Sequence, residues 1–508
     1  MTSSLPGGDP LTLHALAEVC AVAGYCGDAW RGVLGAGSDD AGHVDVPVHS
    51  WRELGDEPLA VLVRLFALGG HVSATELSRA FPRVVASAVA EAGLLHVDAG
   101  RWSAPYALTP VGDRLILSDW ARSKTPPPDV VTGVNAASRT TANLVIRRPA
   151  ARVLDLGTGC GVQAVLAAGH ARELVGTDIN ERALAFARLN AELNAIDTVH
   201  WRHGSWFDPV DQQSFDCIIA NPPFVISPDH DFIFRDGGDE GDALSRFVVR
   251  GAASRLERGG FAHVLCNWVV PPGSDWSEPV FEWIDGTGCD AVVIRYASED
   301  AVTYAAFWNH RLRYEGGDSF KHAMGRWLAE YRRLGIERID SGMVVLRRTD
   351  DSTFRFAADA LNRWPQASCS DQLERIFRGH DVLATIRDDD DLTALRPALV
   401  DGHRVHQSLT FRAEQYTSHP AVIRMVDGIG ADAHIPMEAL DVLFHCDGQS
   451  ALAELIRSTD AGDDESRLRD ATLASVRKLL SLGLMTTTPP AGFERGHTRS
   501  RNPTTTTI

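Results

Sequence analysis

The sequence lacks the long apolar run that a membrane helix requires. None of its 508 residues falls in an uninterrupted apolar stretch of about twenty residues. The first ten residues, MTSSLPGGDP, also lack the basic and apolar regions of a signal peptide. These two absences predict a chain that crosses no membrane and works in the cytoplasm.

Cysteine is scarce, and its spacing carries no motif. The eight cysteines form no C-x-x-C pair, so they support neither a zinc knuckle nor a disulfide framework. Cys217 and Cys266 lie within apolar runs, where cysteine acts as a small hydrophobic residue. We therefore expect no metal site and a reducing compartment.

Basic residues are in the minority. The chain has 49 Lys and Arg against 67 Asp and Glu, which gives a net charge of −18. An acidic chain repels phosphate backbones, so tight non-specific binding to nucleic acid is disfavoured, although a local basic patch stays open. The length exceeds what one hydrophobic core serves, which predicts roughly two to four domains.

Helical patterns stand on both sides of the central part of the chain. Residues 58–97 read as three helices followed by a strand, and residues 439–488 repeat that order. Since this order is typical of a winged helix, we predict winged-helix-like, mainly helical domains over residues 1–120 and 351–489. Neither domain shows a basic recognition helix, which favours protein contacts or a homodimer over DNA, with plain helical packing domains as the alternative. The polar tail, residues 490–508, is predicted to be disordered.

Residues 121–350 alternate between strand and helix patterns. The strand patterns are ARVLDLGTG, ELVGTDI, VHWRHG, FDCIIANPPF, GGFAHVLCNWVV, CDAVVIRYA and SGMVVLRR. Helical patterns such as ERALAFARLNAELNA and ALSRFVVRGAASRL lie between them. This alternation predicts an α/β domain with a doubly wound, mainly parallel sheet.

The first of these strands ends in a glycine-rich loop. Gly157, Gly159 and Gly161 precede a helix, and their G-x-G-x-G spacing differs from the dinucleotide fingerprint, whose third glycine would fall at Val162. Asp178 ends the next strand, where a carboxylate accepts hydrogen bonds from ribose hydroxyls. The alternative for Asp178 is the N-cap of the following helix.

A second acidic residue, Asp155, lies two residues before the first loop glycine. A carboxylate there would repel a phosphate but attract a cationic amine and sulfonium, which favours S-adenosylmethionine over NAD. With VLDLGTGCG, GTDI and IIANPPF in this order, the chain resembles class I S-adenosylmethionine-dependent methyltransferases of the N-P-P-[YF] branch. That branch is the HemK/PrmC-like, methyltransferase small domain type. The resemblance covers about residues 130–350 and implies a Rossmann-like methyltransferase sheet.

The resemblance also implies which residues hold the cofactor. They are Asp155, Gly157, Thr158, Gly159, Gly161, Asp178, Ile179, Ser205, Trp206 and Asn221. In this family the segment after the third strand contacts the adenine, and here it reads HGSWFDP, with Ser205 where an acidic residue is common. Trp206 or Phe207 would pack beside the adenine ring, with core packing the expected role of the other.

The predicted catalytic motif is Asn221-Pro222-Pro223-Phe224, at the end of the fourth strand. Methylation of an amide or aromatic amine needs a nitrogen lone pair. The Asn221 side-chain oxygen and the Pro222 carbonyl would accept hydrogen bonds from the two N–H groups of that nitrogen. The prolines fix the backbone, and Phe224 offers a flat apolar face. A plain strand terminator is the alternative, and no general base is assigned.

Two further segments frame the predicted pocket. Residues 129–144 occupy the place of a helix and loop that close over the cofactor in the family, but they depart from the R-P-x-T-E-like pattern of release-factor enzymes. Residues 234–248 read as a mobile lid or, equally, as a helix start capped by Asp242.

These observations predict an S-adenosylmethionine-dependent N-methyltransferase that acts on a planar nitrogen. A protein side chain such as glutamine is the favoured acceptor. Adenine-N6 or guanine-N2 methylation of RNA or DNA is the alternative, and a cofactor-binding regulator without catalysis is the third hypothesis.

Overall fold

The computed structural model describes residues 7–27, 29–34, 54–120, 127, 129–229, 240–314, 317–349, 354–412, 415–459 and 465–488. The predicted tail and residues 234–239 of the predicted lid lie outside these described residues. The chain divides into two compact units, of which the first joins Met1–Ala142 to Arg148–Ala357. The second joins Asn143–Arg147 to Ala358–Thr507. The domain limits expected at residues 120, 350 and 489 stay predictions.

The first unit begins with short helices and two small sheets. Its helices are α1 Pro10–Val22, α2 Ala29–Val33, α3 Pro58–Leu62, which continues as a π-helix over Val63–Ala67, α4 Ala74–Ala80 and α5 Arg83–Glu91. Its strands are β1 Val72–Ser73, β2 His96–Asp98, β3 Arg101–Ser103, β4 Ala107–Val111 and β5 Arg114–Ser118. The order β1-β3-β2 forms an antiparallel sheet, and β4 pairs with β5. Ser73 and Glu76 form a capping box that starts α4.

An eight-stranded sheet forms the larger part of this unit. Its strands are β6 Ala150–Leu156, β7 Ala171–Asp178, β8 Val199–His203, β9 Phe215–Ala220, β10 Leu256–Val269, β11 Cys289–Asp300, β12 Arg338–Arg348 and β13 Arg355–Asp359. Their order is β13-β11-β12-β10-β9-β6-β7-β8. The pairs from β10 to β8 are parallel, and β12 runs antiparallel to both β10 and β11.

Helices connect these strands. They are α6 Ala136–Asn143, α7 Val162–Ala167, α8 Glu181–Leu193, α9 Ala243–Ala253, α10 Glu278–Ile284, α11 Ala301–Trp308 and α12 Ser319–Leu334. Alternate residues of β10 reach different cores, because successive side chains of a strand point to opposite faces. Val264, Cys266 and Trp268 join the core under α9 and α10, whereas Val269 packs against the core of α11 and α12.

The second unit is built from helices and short antiparallel strands. Its helices are α13 Ser370–Leu383, α14 Asp389–Thr393, α15 Leu440–Phe444, α16 Leu452–Ser458 and α17 Glu465–Ser481. Its strands are β14 Arg396–Leu399, β15 His403–His406, β16 Leu409–Arg412, β17 Gln415–Ser418, β18 Ala421–Met425, β19 Ala433–Ile435 and β20 Met485–Thr488. β14 pairs with β20, β18 lies between β15 and β19, and β16 pairs with β17.

The predicted α/β, Rossmann-like sheet is confirmed, with each predicted strand in the order of the chain. The sequence patterns did not predict α11, α12 or the β4–β5 hairpin, of which α11 supplies Trp308 to the cavity described below. No helix in the described part of the chain is long and apolar enough to cross a membrane.

Candidate functional site

A cavity of about 480 Å³ opens at the carboxyl ends of the parallel strands in the first unit. Loops that follow β6, β7, β8 and β9 line it, together with residues of the 130–138 segment and Trp308. β6 pairs with β7 on one side and β9 on the other, so the chain crosses to the opposite half of the sheet here. This is the position at which doubly wound sheets bind ligands.

The glycine loop forms the floor of the cavity. Gly157 and Gly159 have φ values of 67° and 57°, and an added Cβ at either would meet no atom within 4 Å. The loop backbone is therefore open to a ligand at both positions. Gly161 is different, since it is the N-cap of α7 and does not line the cavity. An added Cβ there would lie 3.1 Å from the Ala187 Cβ, so Gly161 permits close packing of α8.

Asp155 lies beneath this loop with only 1% of its surface exposed. Its carboxylate accepts hydrogen bonds from the Thr158 hydroxyl and, at 2.9 Å, from the Ala164 N–H in the first turn of α7. Burial raises the pKa of Asp155 to about 7, against which the Thr158 and Ala164 hydrogen bonds act. Asp155 thus fixes the loop to the helix, and it also borders the cavity.

Asp178 ends β7 with its carboxylate at the cavity. One oxygen accepts from the Gly159 N–H and the other from the Asn180 N–H, both at 2.8 Å. The N-cap of α8 is Asn180, whose side chain accepts from the Arg182 N–H at 3.0 Å. The N-cap alternative for Asp178 is therefore wrong. Burial raises the pKa of Asp178, while the hydrogen bonds to its carboxylate oppose that shift.

An apolar surface adjoins Asp178. Ile179 lines the cavity and leaves 55% of its surface exposed, which is high for an isoleucine. Ser205 and Trp206 also line the cavity, and they follow His203, which pairs with Asp178 across β7 and β8. Trp206 has a φ of 46°, a left-handed conformation that is costly for a bulky residue and is often found at functional sites. Phe207 is buried in the core instead, so of the two aromatic candidates only Trp206 faces the cavity.

Asn221, Pro222, Pro223 and Phe224 follow β9 and all line the cavity. No cis peptide bond occurs among the described residues, so both prolines are trans. Within the described part of the chain, neither the Asn221 side chain nor the Pro222 carbonyl forms a hydrogen bond. Two acceptors at the cavity wall are thus available to a ligand.

Two buried tyrosines hold the chain just beyond this motif. The Tyr304 hydroxyl accepts from the Ile226 N–H at 3.1 Å and from the Asn267 side-chain amide at 2.6 Å. The Tyr331 hydroxyl donates to the Ile226 carbonyl at 2.6 Å. Phe224 packs against the same core. These contacts from α11 and α12 fix the backbone two residues after Phe224.

The remaining walls include segments that the sequence analysis placed near the pocket. Residues 130–133 and 135 and the start of α6 line the cavity, as expected for a segment that frames it. Asp242 occupies the N-cap position of α9, but its side chain makes no capping hydrogen bond. It accepts instead from the Val269 N–H at 2.8 Å, which joins α9 to the end of β10.

The structure brings together every predicted site residue except Gly161. Gln163, Asn180 and Trp308 also line the cavity, although the sequence patterns did not predict them there. Trp308 follows the pattern YAAFW near the end of a helix, and nothing in that pattern distinguishes a cavity residue from a core residue. The roles assigned to the predicted residues stay predictions.

The strand order, the glycine loop and Asp178 at one sheet edge together define a Rossmann-like methyltransferase fold. A family model described as "Methyltransferase small domain" matches residues 132–271, which include β6 to β10, the glycine loop and Asp178. A second model, "Domain of unknown function (DUF7059)", matches residues 22–105.

The curated relatives described here share the name release factor glutamine methyltransferase. The chain is 32% identical over 213 residues to a release factor glutamine methyltransferase of Yersinia pestis, across 38% of this chain and 72% of that protein. It is 36% identical over 120 residues to the enzyme of that name from Aliivibrio fischeri, across 22% of this chain and 38% of that protein. The chain therefore belongs to the HemK/PrmC-like family of class I S-adenosylmethionine-dependent methyltransferases.

The match is partial in both directions. The chain spans between 38% and 47% of the length of several of these relatives. A methyltransferase structure from Pyrococcus furiosus is 16% identical with a TM-score of 0.27, covering 42% of this chain and 83% of that one. The fold is assigned from the strand order.

Proposed function

We propose that this protein is an S-adenosylmethionine-dependent N-methyltransferase whose acceptor is a planar nitrogen, most favourably the glutamine side chain of a protein. The observation that carries the proposal is the pair of unused acceptors, the Asn221 side chain and the Pro222 carbonyl, beside Phe224 at the cavity wall. The name shared by the relatives, release factor glutamine methyltransferase, supports the same class of acceptor.

The cavity fits S-adenosylmethionine. Its volume of about 480 Å³ lies within the range of small-molecule sites, about 300–1,000 Å³. Asp178 offers carboxylate oxygens at the end of β7, where a ribose would lie, and Ile179 and Trp206 offer apolar surface for an adenine. The open backbone at Gly157 and Gly159 leaves room for the amino acid portion.

When bound, S-adenosylmethionine supplies an electrophilic methyl group on a positively charged sulfur. The chain's own task is then to hold a weakly nucleophilic nitrogen in line with that methyl group. The Asn221 oxygen and the Pro222 carbonyl accept the two N–H groups of the acceptor, which orients its nitrogen and favours build-up of electron density there. The trans prolines keep these two acceptors at a fixed separation.

The side-chain amide of glutamine matches this arrangement better than a charged amine would. A planar NH₂ group presents two N–H bonds in one plane, which two nearby carbonyl oxygens can accept together. Phe224 provides a flat face for that plane. The net charge of −18 disfavours a polyanionic acceptor, so protein ranks above RNA or DNA.

The flanking domains are proposed to be winged-helix-like. In the first unit, α3, β1, α4, α5, β2 and β3 follow the order of a winged helix, with β1 added to the β2–β3 hairpin. In the second unit, α15, α16, α17 and β20 follow a similar order, and β20 pairs with β14. We assign both to protein contacts.

Methyl transfer to defined acceptors tests the proposal. The full-length protein is incubated with S-[methyl-³H]adenosylmethionine and either a purified bacterial peptide-chain release factor or a bacterial extract, whose products are separated into protein, RNA, DNA and small molecules. We expect label in protein, with a loss of activity of about a hundredfold or more in Asn221→Ala that exceeds any loss of affinity for S-adenosylhomocysteine.

The outcomes separate the hypotheses. Label in RNA or DNA that depends on Asn221 would replace the protein acceptor with a nucleobase. Binding of S-adenosylhomocysteine without label in any fraction would favour the regulator. Label that Asn221→Ala leaves unchanged would contradict the assigned role of the acceptor pair.

A further inference from the structure

One wall of the cavity has no secondary structure to hold it. Residues 130–133 and 135 line the cavity between the end of the N-terminal domain and α6. An irregular segment lacks a strand ladder or helix to fix its backbone, so its position depends on hydrogen bonds from neighbouring elements. Those neighbours are the residues after β5 and the start of α8.

Asp119, the first residue after β5, pairs with this wall in both directions. Its carboxylate accepts from the Val131 N–H at 2.9 Å, and its own N–H donates to the Val131 carbonyl at 3.1 Å. The wall also lies directly against Ser118, since an added Cβ at Gly133 would fall 2.3 Å from the Ser118 hydroxyl. The end of the N-terminal domain therefore fixes the position of this backbone segment beside the cavity.

The same carboxylate is fixed by α8. The Arg182 guanidinium donates to both Asp119 oxygens, at 2.5 and 3.2 Å, with side chains only 16% and 14% exposed. A shielded, two-point ion pair of this kind is stronger than a surface pair and is geometrically specific. Two residues before Arg182, the Asn180 side chain donates to the Asp129 carbonyl at 3.1 Å. The wall, β5 and the start of α8 thus meet at Asp119.

A second set of contacts joins the N-terminal domain to the glycine loop. Asn190 of α8 is fully buried and bonds to both the N–H and the carbonyl of Leu117, at 2.7 and 2.9 Å. It also donates to the carbonyl of Cys160 in the loop, at 2.8 Å. Asn194, one turn later, bonds to both main-chain groups of Leu115 at 2.9 and 2.7 Å.

The similar spacing of residues along a helix and along a strand explains why Asn190 and Asn194 can both pair with β5. Four residues of helix rise about 6 Å, which is close to the roughly 6.8 Å spanned by two residues of a strand. Two asparagines spaced i, i+4 can therefore bond the free edge of β5 as a neighbouring strand would. The N-terminal domain is thereby joined to the loop and the wall that face the cavity.

We propose that the N-terminal domain supports the cofactor site from outside the cavity, with Asp119 as a positioning residue that holds the wall of residues 130–135. This inference rests on the proposed function, because it takes the cavity as the S-adenosylmethionine site. Asp119 does not line the cavity and acts through Val131. By reciprocity of linked equilibria, cofactor binding then also strengthens the attachment of the N-terminal domain.

The test is the dissociation constant of S-adenosylhomocysteine, measured by calorimetry on the full-length protein. We expect Asp119→Ala to weaken binding about tenfold and to speed amide hydrogen exchange at residues 130–135. The matched control is Asp290→Ala, because Asp290 also accepts from a shielded arginine, Arg347 at 2.7 Å, and from a backbone N–H, that of Phe354 at 3.2 Å. Asp290 lies outside the cavity, so its variant should lose stability yet bind within about twofold of wild type.

Arg182→Lys supplies a second variant should Asp119→Ala not fold. It keeps the charge and the Asp119–Val131 hydrogen bonds but loses the two-point geometry, so a weakening of about threefold is expected. Wild-type affinity in the Asp119 and Arg182 variants would overturn this inference and leave the proposed function standing. No binding by the wild-type protein would overturn both.

Discussion

At the scale of the residue, the site depends on side chains held in states that they would not adopt in water. Asp155 is a carboxylate enclosed by the loop and helix that it joins, and burial raises its pKa to about 7. Trp206 keeps a left-handed backbone while its ring borders the cavity. The rest of the fold offsets these costs, as is common where a binding site is formed in advance of its ligand.

The Asp155 carboxyl should make stability depend on pH. Its folded pKa lies above the ordinary value of 3.8, so the folded state keeps a proton that the unfolded chain releases between about pH 4 and 7. Stability from this group is therefore present below pH 4 and declines as pH rises to 7, with a slope of up to about 1.4 kcal/mol per pH unit. Urea unfolding without ligand should show that decline in wild type and a smaller one in Asp155→Asn.

An exposed aspartate provides the control for this measurement. Asp113 has a side chain that is 83% exposed, so Asp113→Asn should follow the wild-type curve. The negative charge of Asp178 raises the pKa of Asp155. Because all three proteins retain Asp178, its own titration contributes to all three pH curves. Parallel pH curves for wild type and Asp155→Asn would contradict the assignment.

At the scale of the element, two helices that the sequence did not reveal hold the chain next to the proposed catalytic motif. α11 and α12 hold Ile226 through Tyr304 and Tyr331. The Asn267 side chain donates to Tyr304, while its buried oxygen has no hydrogen-bond partner in the described part of the chain. The Tyr304 hydroxyl is thus the acceptor for both the Ile226 N–H and the Asn267 side-chain amide.

Tyr304→Phe should disturb catalysis more than its effect on stability suggests. It leaves the Ile226 N–H and the Asn267 amide unpaired, at a cost of about 1–3 kcal/mol. Because Ile226 lies two residues after Phe224, we expect kcat to fall at least tenfold at unchanged affinity for S-adenosylhomocysteine. Tyr25→Phe is the control, since that buried hydroxyl donates to the Leu108 carbonyl at 2.7 Å in the N-terminal domain. Equal losses of activity in both variants would count against a positioning role.

Gly161→Ala should destabilise the protein by two separable mechanisms. Gly161 has a φ of 84°, and an added Cβ would lie 3.1 Å from Ala187 and 3.2 Å from Trp201. Gly100→Ala introduces the same kind of backbone strain, at a φ of 76°, with no atom within 4 Å. Thermal or urea unfolding should show a loss of about 1 kcal/mol for Gly100→Ala and about 2–4 kcal/mol for Gly161→Ala. A smaller loss at Gly161 than at Gly100 would exclude the packing contribution.

The sequence predicted the parts of the site that follow one another along the chain. VLDLGTGCG, GTDI and IIANPPF each combine a buried strand with the loop that ends it, so local pattern and position coincide. Tyr304 and Trp308 could not be assigned, because only the tertiary fold brings them to a loop about eighty residues earlier. The Asn190–Leu117 pairing was hidden for the same reason, and the backbone strain at Trp206 has no signature in composition.

At the scale of the whole molecule, a ligand in the cavity is expected to contact residues of the first unit only. All residues that line the cavity belong to the first unit, including its segments 130–138 and 221–225. The first unit also contains the β5 edge that Asn190 and Asn194 complete. Stabilisation by a ligand should therefore be largest in that unit.

Hydrogen exchange should map this effect. Addition of saturating S-adenosylhomocysteine should slow exchange in residues 130–138, 155–163 and 177–183, and in β5, whereas α13 of the second unit should change little. β5 lies outside the cavity lining, so its protection reports the attachment of the N-terminal domain rather than contact with the ligand. Protection spread evenly over both units would contradict this expectation.

Trp206 and Trp308 border the cavity, and the chain contains twelve tryptophans in all. An adenine that binds beside an indole changes the polarity and the contacts of that ring, so the emission of these two rings should change on binding while the other ten provide a nearly constant background. The protein thus carries its own optical probe, and rapid mixing could follow the arrival of the ligand in real time without any attached dye.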